Sequence, residues 1–314
     1  MRVYYQDECV LKNAEGAECL SQVPFEKIFW IDLQFSTSEE RTILEGMFKI
    51  NFRQLKSENA LESNARFYES DNLVFISANF IALQEGHYES TPVFLYLMGE
   101  ILITERNADL VSFTETIKKI RRNPKGFTNG SDVLGAILET KYDVDADFVD
   151  HIAKDIATVG RSLSLKETDE IERMLLKING YQEATTLSRD SFIDKHRVAS
   201  ALLKSNGFKN KERLKILMKD ITTMLENTSF ILVRLEYLQN TILGLINIAQ
   251  NKTIKIFTIV AVVFMPPTLI ASIYGMNFKI IPELSWSFGY PLALILIVGS
   301  SMLTLLVFKK KRWL

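Results

Sequence analysis

The 314-residue sequence predicts an α+β water-soluble domain with long helices, followed by a C-terminal two-helix transmembrane hairpin, with a long stalk helix continuous with the first span. Three observations predict this. The β-rich runs are confined to residues 1–113, and a helical pattern follows them. An apolar seam spaced alternately three and four residues apart leads up to the tail. The tail holds two uncharged apolar runs of about 20 residues each, enough as helices to cross a bilayer's hydrocarbon core.

Charge is distributed unevenly. Lys+Arg is 37 and Asp+Glu is 38, a net charge of −1, which argues against a general nucleic-acid binder. At 24% charged the chain is not a polytopic membrane protein throughout, and at 47% hydrophobic it is not disordered. From Ile256 to Phe308 the only charges are Lys279 and Glu283. Setting these aside with Lys255 and the basic run at 309–312 leaves the preceding part with a net charge of about −6.

Residues 1–130 read as an α/β domain. The opening MRVYYQDECV is polar and strand-like, without the apolar core of a secretory signal. Ile28–Leu33, Leu73–Ile81, Val93–Thr104 and Leu110–Phe113 are β-rich runs. Ser36 with Glu39 three residues on reads as the capping box of a helix between the first two. Asn123-Pro124-Lys125-Gly126 is a breaker. Cys9 and Cys19 are expected to be free thiols on the reducing side of the membrane and, with no nearby His, a poor metal site.

Residues 131–211 read as a helical region. Asp143, Asp145, Asp147, Asp150, Asp155, Glu167, Asp169, Glu170 and Glu172 make it acid-rich. Such a run is a solvated face, or an oxygen-rich surface able to hold divalent cations weakly.

Residues 212–274 read as the stalk helix and first span. Leu214, Leu217, Ile221, Met224, Thr228, Ile231, Leu235, Leu238, Ile242, Leu245 and Ala249 form the seam, and no proline interrupts it before Pro266. One helix from near Glu212 to Tyr274 would be ~95 Å long. Its seam packs either on its own domain or, as expected here, on copies of itself.

The tail comprises an extracytoplasmic loop at 275–287, a second span at 288–308 and a basic segment at 309–314. Neither Ile256–Tyr274 nor Phe288–Phe308 shows the polar stripe expected of a soluble core helix. Trp286, Tyr290 and Trp313 flank the second span as interfacial aromatics do. Lys252 and Lys255 precede the first span and Lys309, Lys310, Lys311 and Arg312 follow the second, which puts both termini in the cytoplasm.

Little suggests an enzyme: the phosphate-binding, dinucleotide, zinc-protease and serine-hydrolase fingerprints are missing, and His87, His151 and His196 are widely separated. The first span carries the signal instead. One face reads Asn247, Asn251, Ile254, Thr258, Ala261, Met265, Thr268, Ser272 and Gly275, mostly small or weakly polar and without a carboxylate. It is either a close helix–helix interface or a pore wall. Two helices enclose no pore, so the second reading requires a homo-oligomer.

Tyr274-Gly275-Met276-Asn277-Phe278, set in FMPPTLIASIYGMNF and followed by IPELSW, GYP and KKKRWL, resembles the CorA magnesium transporter family over Asn251–Leu314. The resemblance implies a funnel-shaped homopentamer in the cell inner membrane, whose long helices continue into the bilayer and line a pore. It implies hydrated Mg2+ as the ion, with Co2+ or Ni2+ as poorer substrates, entering the cytoplasm down its electrochemical gradient. It makes Gly275, Met276 and Asn277 the outer selectivity mouth. It makes Asn251, Ile254, Phe257, Met265 and Thr268 pore-lining, with the apolar constriction at Phe257 where spacing alone favours Thr258. Ser272 stands where the family often has Gly, Pro266-Pro267 where it often has one proline, and Ile281 where it often has Met.

The resemblance also implies that cytosolic Mg2+ binds between subunits and holds the pore shut, with Asp220 as the candidate ligand. Glu283 is expected at the rim, drawing cations in, or as an ordinary loop residue. The ring of Lys309, Lys310, Lys311 and Arg312 surrounds the inner mouth or serves only as the topology signal. Two competitors stand beside this reading. A zinc transporter of the same superfamily is disfavoured by Met276 and the lack of a His/Cys cluster. A membrane-anchored sensor without conduction needs no such regularly spaced face of small and hydroxyl-bearing residues in its anchor.

Overall fold

The computed structural model describes residues 1–7, 10–16, 18–61, 66–84, 87–162, 168–277 and 281–311. Cys9, Glu167, Phe278, Lys279, Arg312 and Trp313, named above, lie outside the described residues. The chain divides into two units, Met1–Gln239 and Asn240–Leu314.

The first unit is built on seven strands: β1 (Arg2–Asp7), β2 (Val10–Glu15), β3 (Ile28–Gln34), β4 (Phe67–Ser70), β5 (Leu73–Gln84), β6 (His87–Met98) and β7 (Ile101–Arg106). They form one sheet in the order β2-β1-β3-β7-β6-β5-β4. β3 and β7 pair in parallel and the other neighbours are antiparallel. β7 is buried along its whole length and β3 at all but its last residue. That explains why both read as nearly continuous apolar runs rather than alternating ones.

Helices cover both faces. α1 (Cys19–Gln22) is a single turn; α2 (Ser38–Phe48) and α3 (Phe52–Leu61) set Leu44 and Phe52 on Ile31, Leu33, Phe75 and Ile103. On the opposite face, α4 (Val111–Arg122) sets Phe113 against Trp30 and Phe80. α5 (Gly130–Ser162) and α6 (Thr168–Lys204) pack there too, and α7 (Lys211–Tyr274) follows. Charge inside this sheet is paired. The Arg106 guanidinium meets both Asp32 oxygens (2.8 and 3.2 Å), Thr104 donates to Asp32 at 2.8 Å, and the Trp30 indole donates to Thr104 at 3.1 Å.

The structure corrects five sequence expectations. Leu110–Phe113 is not a strand: Leu110 is the N-cap of α4, because Phe113, Thr116 and Ile120 share the face that meets the sheet. Val93–Thr104 is two strands, turned at Gly99, whose φ of +57° an L residue rarely adopts. The capping box is Thr37 with Glu40, one residue later than expected, while Ser36 accepts from Arg41.

Asp145 is not part of a solvated face. It is 2% exposed and accepts from Lys141 of α5 and from Ser191 and Lys195 of α6, both lysines being equally buried. Burial pushes the Lys141 ammonium down to about 8. Burial alone would raise the Asp145 carboxyl, but Lys195 and then Lys141 hold it below its ordinary value.

The last correction is the seam. Leu214, Leu217, Ile221, Met224, Thr228, Ile231, Leu235 and Leu238 are each at most 8% exposed. In the first unit they face their own chain: a side chain on Gly160 of α5 would meet Leu238, and Gln182 of α6 bonds Gln239. The opposite face of α7 leaves Ile216, Phe230, Val233 and Tyr237 exposed.

In the second unit α7 continues to Tyr274 and α8 (Gly289–Lys310) follows a 3-10 turn at Pro282–Ser285. Both helices are long and apolar enough to cross a membrane, with mean hydropathies of 2.2 and 2.4 over their best windows. Only 6% and 0% of those windows are buried, so these helices are not part of a core built by this chain alone.

Candidate functional site

The positions of α7 selected from the sequence are open to the surroundings within the chain. Asn251, Ile254, Thr258, Ala261, Met265, Thr268, Ser272 and Gly275 are all exposed. Phe257, one residue to the side, is 70% exposed. The less exposed positions of this stretch are different ones: Ile259, Val262, Val263, Pro266, Ile270 and Tyr274 are partly covered and Pro267 is buried. Those of α8 are Ala293, Ile297, Ser300, Ser301, Thr304 and Phe308. Within one chain, therefore, the weakly polar face is not used to pack the hairpin.

Its hydroxyls are poised as acceptors. Thr258 donates to the Ile254 carbonyl at 2.8 Å and Thr268 to the Phe264 carbonyl at 2.7 Å. Each proton is spent on its own helix, so the outward lone pairs accept hydrogen from water. Pro266 and Pro267 lie inside the helix without breaking it. They have no N–H to give the carbonyls four residues back, Val262 and Val263.

The triplet closes this helix. Gly275 N–H donates to Ala271 and Met276 N–H to Ile273, at 2.9 and 3.3 Å. Gly275, Met276 and Asn277 are exposed. The last turn of α7 holds no basic residue, so the negative end of its dipole is not offset by its own side chains. A cation is favoured there.

Glu283 sits in the Pro282–Ser285 turn and is half-buried. Its carbonyl lies against α8: a Cβ on Gly289 would fall 2.0 Å from it, so only glycine fits. Lys309 and Lys310 occupy the last turn of α8, and Lys311 N–H donates to the Val307 carbonyl. They offset that helix's negative end, a role needing no ion.

Asp220 is exposed on the part of α7 that belongs to the first unit. Its carbonyl accepts from the Tyr142 hydroxyl at 3.4 Å. Burial and the charges of Asp220, Asp143 and Asp150 push the Tyr142 hydroxyl up. Neighbouring carboxylates already hold cations: Asp143 pairs with Lys119 and Glu139 with Arg213. Among the described residues no three His, Cys, Asp or Glu side chains are gathered to hold a metal.

Comparison with known proteins gives a family and a fold. The family model described as CorA-like Mg2+ transporter protein matches residues 25–310. The magnesium transport protein CorA of Wolinella succinogenes is 37% identical over 294 residues, covering 91% of both chains. That of Helicobacter pylori (strain 26695) is 34% identical over 291 residues, covering 92% of this chain and 91% of its own. In fold, the complete structure of the CorA magnesium transporter from Methanocaldococcus jannaschii matches with a TM-score of 0.83 at 19% identity, over 100% of this chain and 99% of that one.

Proposed function

As this chain belongs to the CorA-like Mg2+ transporter family, we propose that it conducts hydrated Mg2+ into the cytoplasm across the cell inner membrane. In this reading it works as a homopentamer with the exposed face of α7 lining the path. The observation that carries it is that face: continuous from Asn251 to Gly275, unused by α8, and ending in an amide side chain at an uncompensated helix C-terminus.

The chemistry follows from the ion. Mg2+ holds its octahedral water shell tightly and gives it up reluctantly. A carboxylate ring that stripped the shell would bind too tightly for turnover. Five Asn277 amide oxygens accept hydrogen bonds from the ion's own waters instead, selecting a hydrated divalent ion by size and dipole field. Thr258, Thr268 and Ser272 offer further acceptors along the way. Ile254 and Phe257, apolar and exposed, close the path by dewetting when their rings narrow. Glu283 concentrates cations at the rim. Both termini are cytoplasmic. Co2+ and Ni2+ are poorer substrates of the same shell-reading mouth.

Regulation is by cytosolic Mg2+ bound between subunits. Asp220, with Asp143 and Asp150 close by, supplies one side of such a bridge, and a neighbouring copy supplies the other.

The test is Mg2+ entry into liposomes holding a magnesium-sensitive dye, driven by an inside-negative potential, for the protein and its Asn277→Ala variant. Entry by the parent that is blocked by cobalt hexaammine and reduced at least tenfold in Asn277→Ala is expected. No entry from folded, oligomeric protein at low Mg2+ refutes conduction; zinc entry in its place moves the assignment to zinc.

A further inference from the structure

The connection between α6 and α7, Ser205–Asn210, is held by side chains from three distant parts of the first unit: β4, the β6–β7 turn and the start of α5. One Glu69 carboxylate oxygen, on the edge strand β4, accepts from Ser205 Oγ at 2.9 Å, Asn206 N–H at 3.0 Å and Gly207 N–H at 3.1 Å. Lys209 N–H donates to Ser131 Oγ at 3.2 Å, the Lys209 ammonium pairs with Glu100, and the Asn210 amide donates to Asp132 at 2.5 Å. Phe208 is 1% exposed.

Gly207 is seated so closely that a Cβ there would lie 2.6 Å from the Val74 side chain of β5, itself buried. The connection cannot slide along the sheet edge without leaving this seat.

The strength in this set is concentrated in Glu69. A carboxylate received by two backbone N–H groups and a hydroxyl makes charge-assisted bonds, about twice as strong as neutral ones. Burial alone would raise the Glu69 carboxyl, yet the Ser205, Gly207 and Asn206 bonds and the charge of Lys211 hold it below its ordinary value. The Lys209–Glu100 pair is a single ion pair, mostly exposed on both sides, and contributes little; Glu69 is exposed too, but one of its oxygens gathers three donors, two of them backbone N–H groups fixed in place. A polar cleft of about 410 Å3, lined in part by Glu69, Asp71, Asn72, Asn206 and Gly207, lies against the same bonds. Water is at hand to replace them once the charge is gone.

We propose that Glu69 is a positioning residue: its carboxylate is the lock of a hinge at Ser205–Asn210, and so fixes where helix α7, which carries the candidate mouth, begins. Removing the charge frees the hinge while the sheet stays folded. The consequence for ion flow rests on the transport reading above; the lock itself does not.

The experiment is amide hydrogen exchange on the full chain in detergent, with Mg2+ entry measured on the same preparation in liposomes. Glu69→Gln keeps the shape and loses the charge, Ser205→Ala removes one donor more gently, and Glu100→Gln is the control on the same connection. Exchange over residues 206–217 is expected to quicken at least tenfold in Glu69→Gln and less in Ser205→Ala. β5 and β6 stay protected as in the parent, and Glu100→Gln shows no change. Mg2+ entry is expected to change at least threefold in Glu69→Gln alone.

Unchanged exchange at 206–217, or equal loss of protection in β5 and β6, overturns the lock. Local quickening with unaltered entry overturns the positioning role. A parent that admits no Mg2+ refutes the transport reading, and the exchange pattern then decides the lock by itself.

Discussion

Lys141, Asp145 and Lys195 place two ammonium groups and one carboxylate in a site closed to solvent, with Lys141 also 5.3 Å from the Phe80 ring and Lys195 4.8 Å from that of Phe192. The excess positive charge has a sign consequence. Burial lowers the folded pKa of Lys141 to about 8, below its ordinary 10.5. Between those values the unfolded chain binds more protons than the folded one, so stability rises with pH across that window. Lys141→Met leaves Asp145 paired with Lys195 alone. Its thermal midpoint at pH 7.5 should exceed the parent's, and the rise from pH 7.5 to 9.5 should flatten. Asp145→Asn does the reverse, leaving two buried cations without their counter-ion, at a cost of about 3–5 kcal/mol in chemical unfolding. Neither effect was legible in the sequence. Asp145 stands among eight other acids between Tyr142 and Glu172, and only the packing of α6 against α5 picks it out.

Among the elements, α7 shows what periodicity can and cannot tell. The spacing of Leu214 through Leu238 marked the buried face, because a period near 3.5 follows from burial along one side of any helix. It could not name the partner, since a seam turned to α5 and α6 has the same period as one turned to a copy. Leu235→Ala, at a fully buried position, should therefore cost about 2–5 kcal/mol in unfolding of the monomeric unit itself. Phe230→Ala, 67% exposed on the other face, should leave that stability within about 0.5 kcal/mol. It should weaken self-association, read as a shift in mass by light scattering. The misread start of α4 has a similar cause. Leu-Val-Ser-Phe is a run of residues that suits strands, and four residues are too few to display a helical period. The candidate mouth was legible because its signal is local: an apolar helix, a short polar triplet and a second apolar helix in sequence. The Glu69 lock joins positions 136 to 138 residues apart and leaves no local trace.

For the whole molecule, in the transport proposed above, the driving force is electrical. An ion of charge two crossing 100 mV gains about 4.6 kcal/mol, enough for inward flow with no nucleotide-binding apparatus. Initial Mg2+ entry into liposomes should thus rise with inside-negative potential and fall to the level set by the concentration gradient once an ionophore collapses it. Entry that ignored the potential would mean exchange for another cation. The parallel pairing of β3 with β7 sets a further requirement, one of time. Trp30 and Thr104, bonded across that pair, are 74 residues apart. At synthesis rates of about 5–20 residues per second, β3 waits roughly 4–15 s for its neighbour. During that interval it is apolar on both faces, with only β1 beside it. The nascent chain therefore passes through a stage with an open, sticky strand edge, and a chaperone that shields such edges on the ribosome should raise the yield of folded protein more than one acting after release.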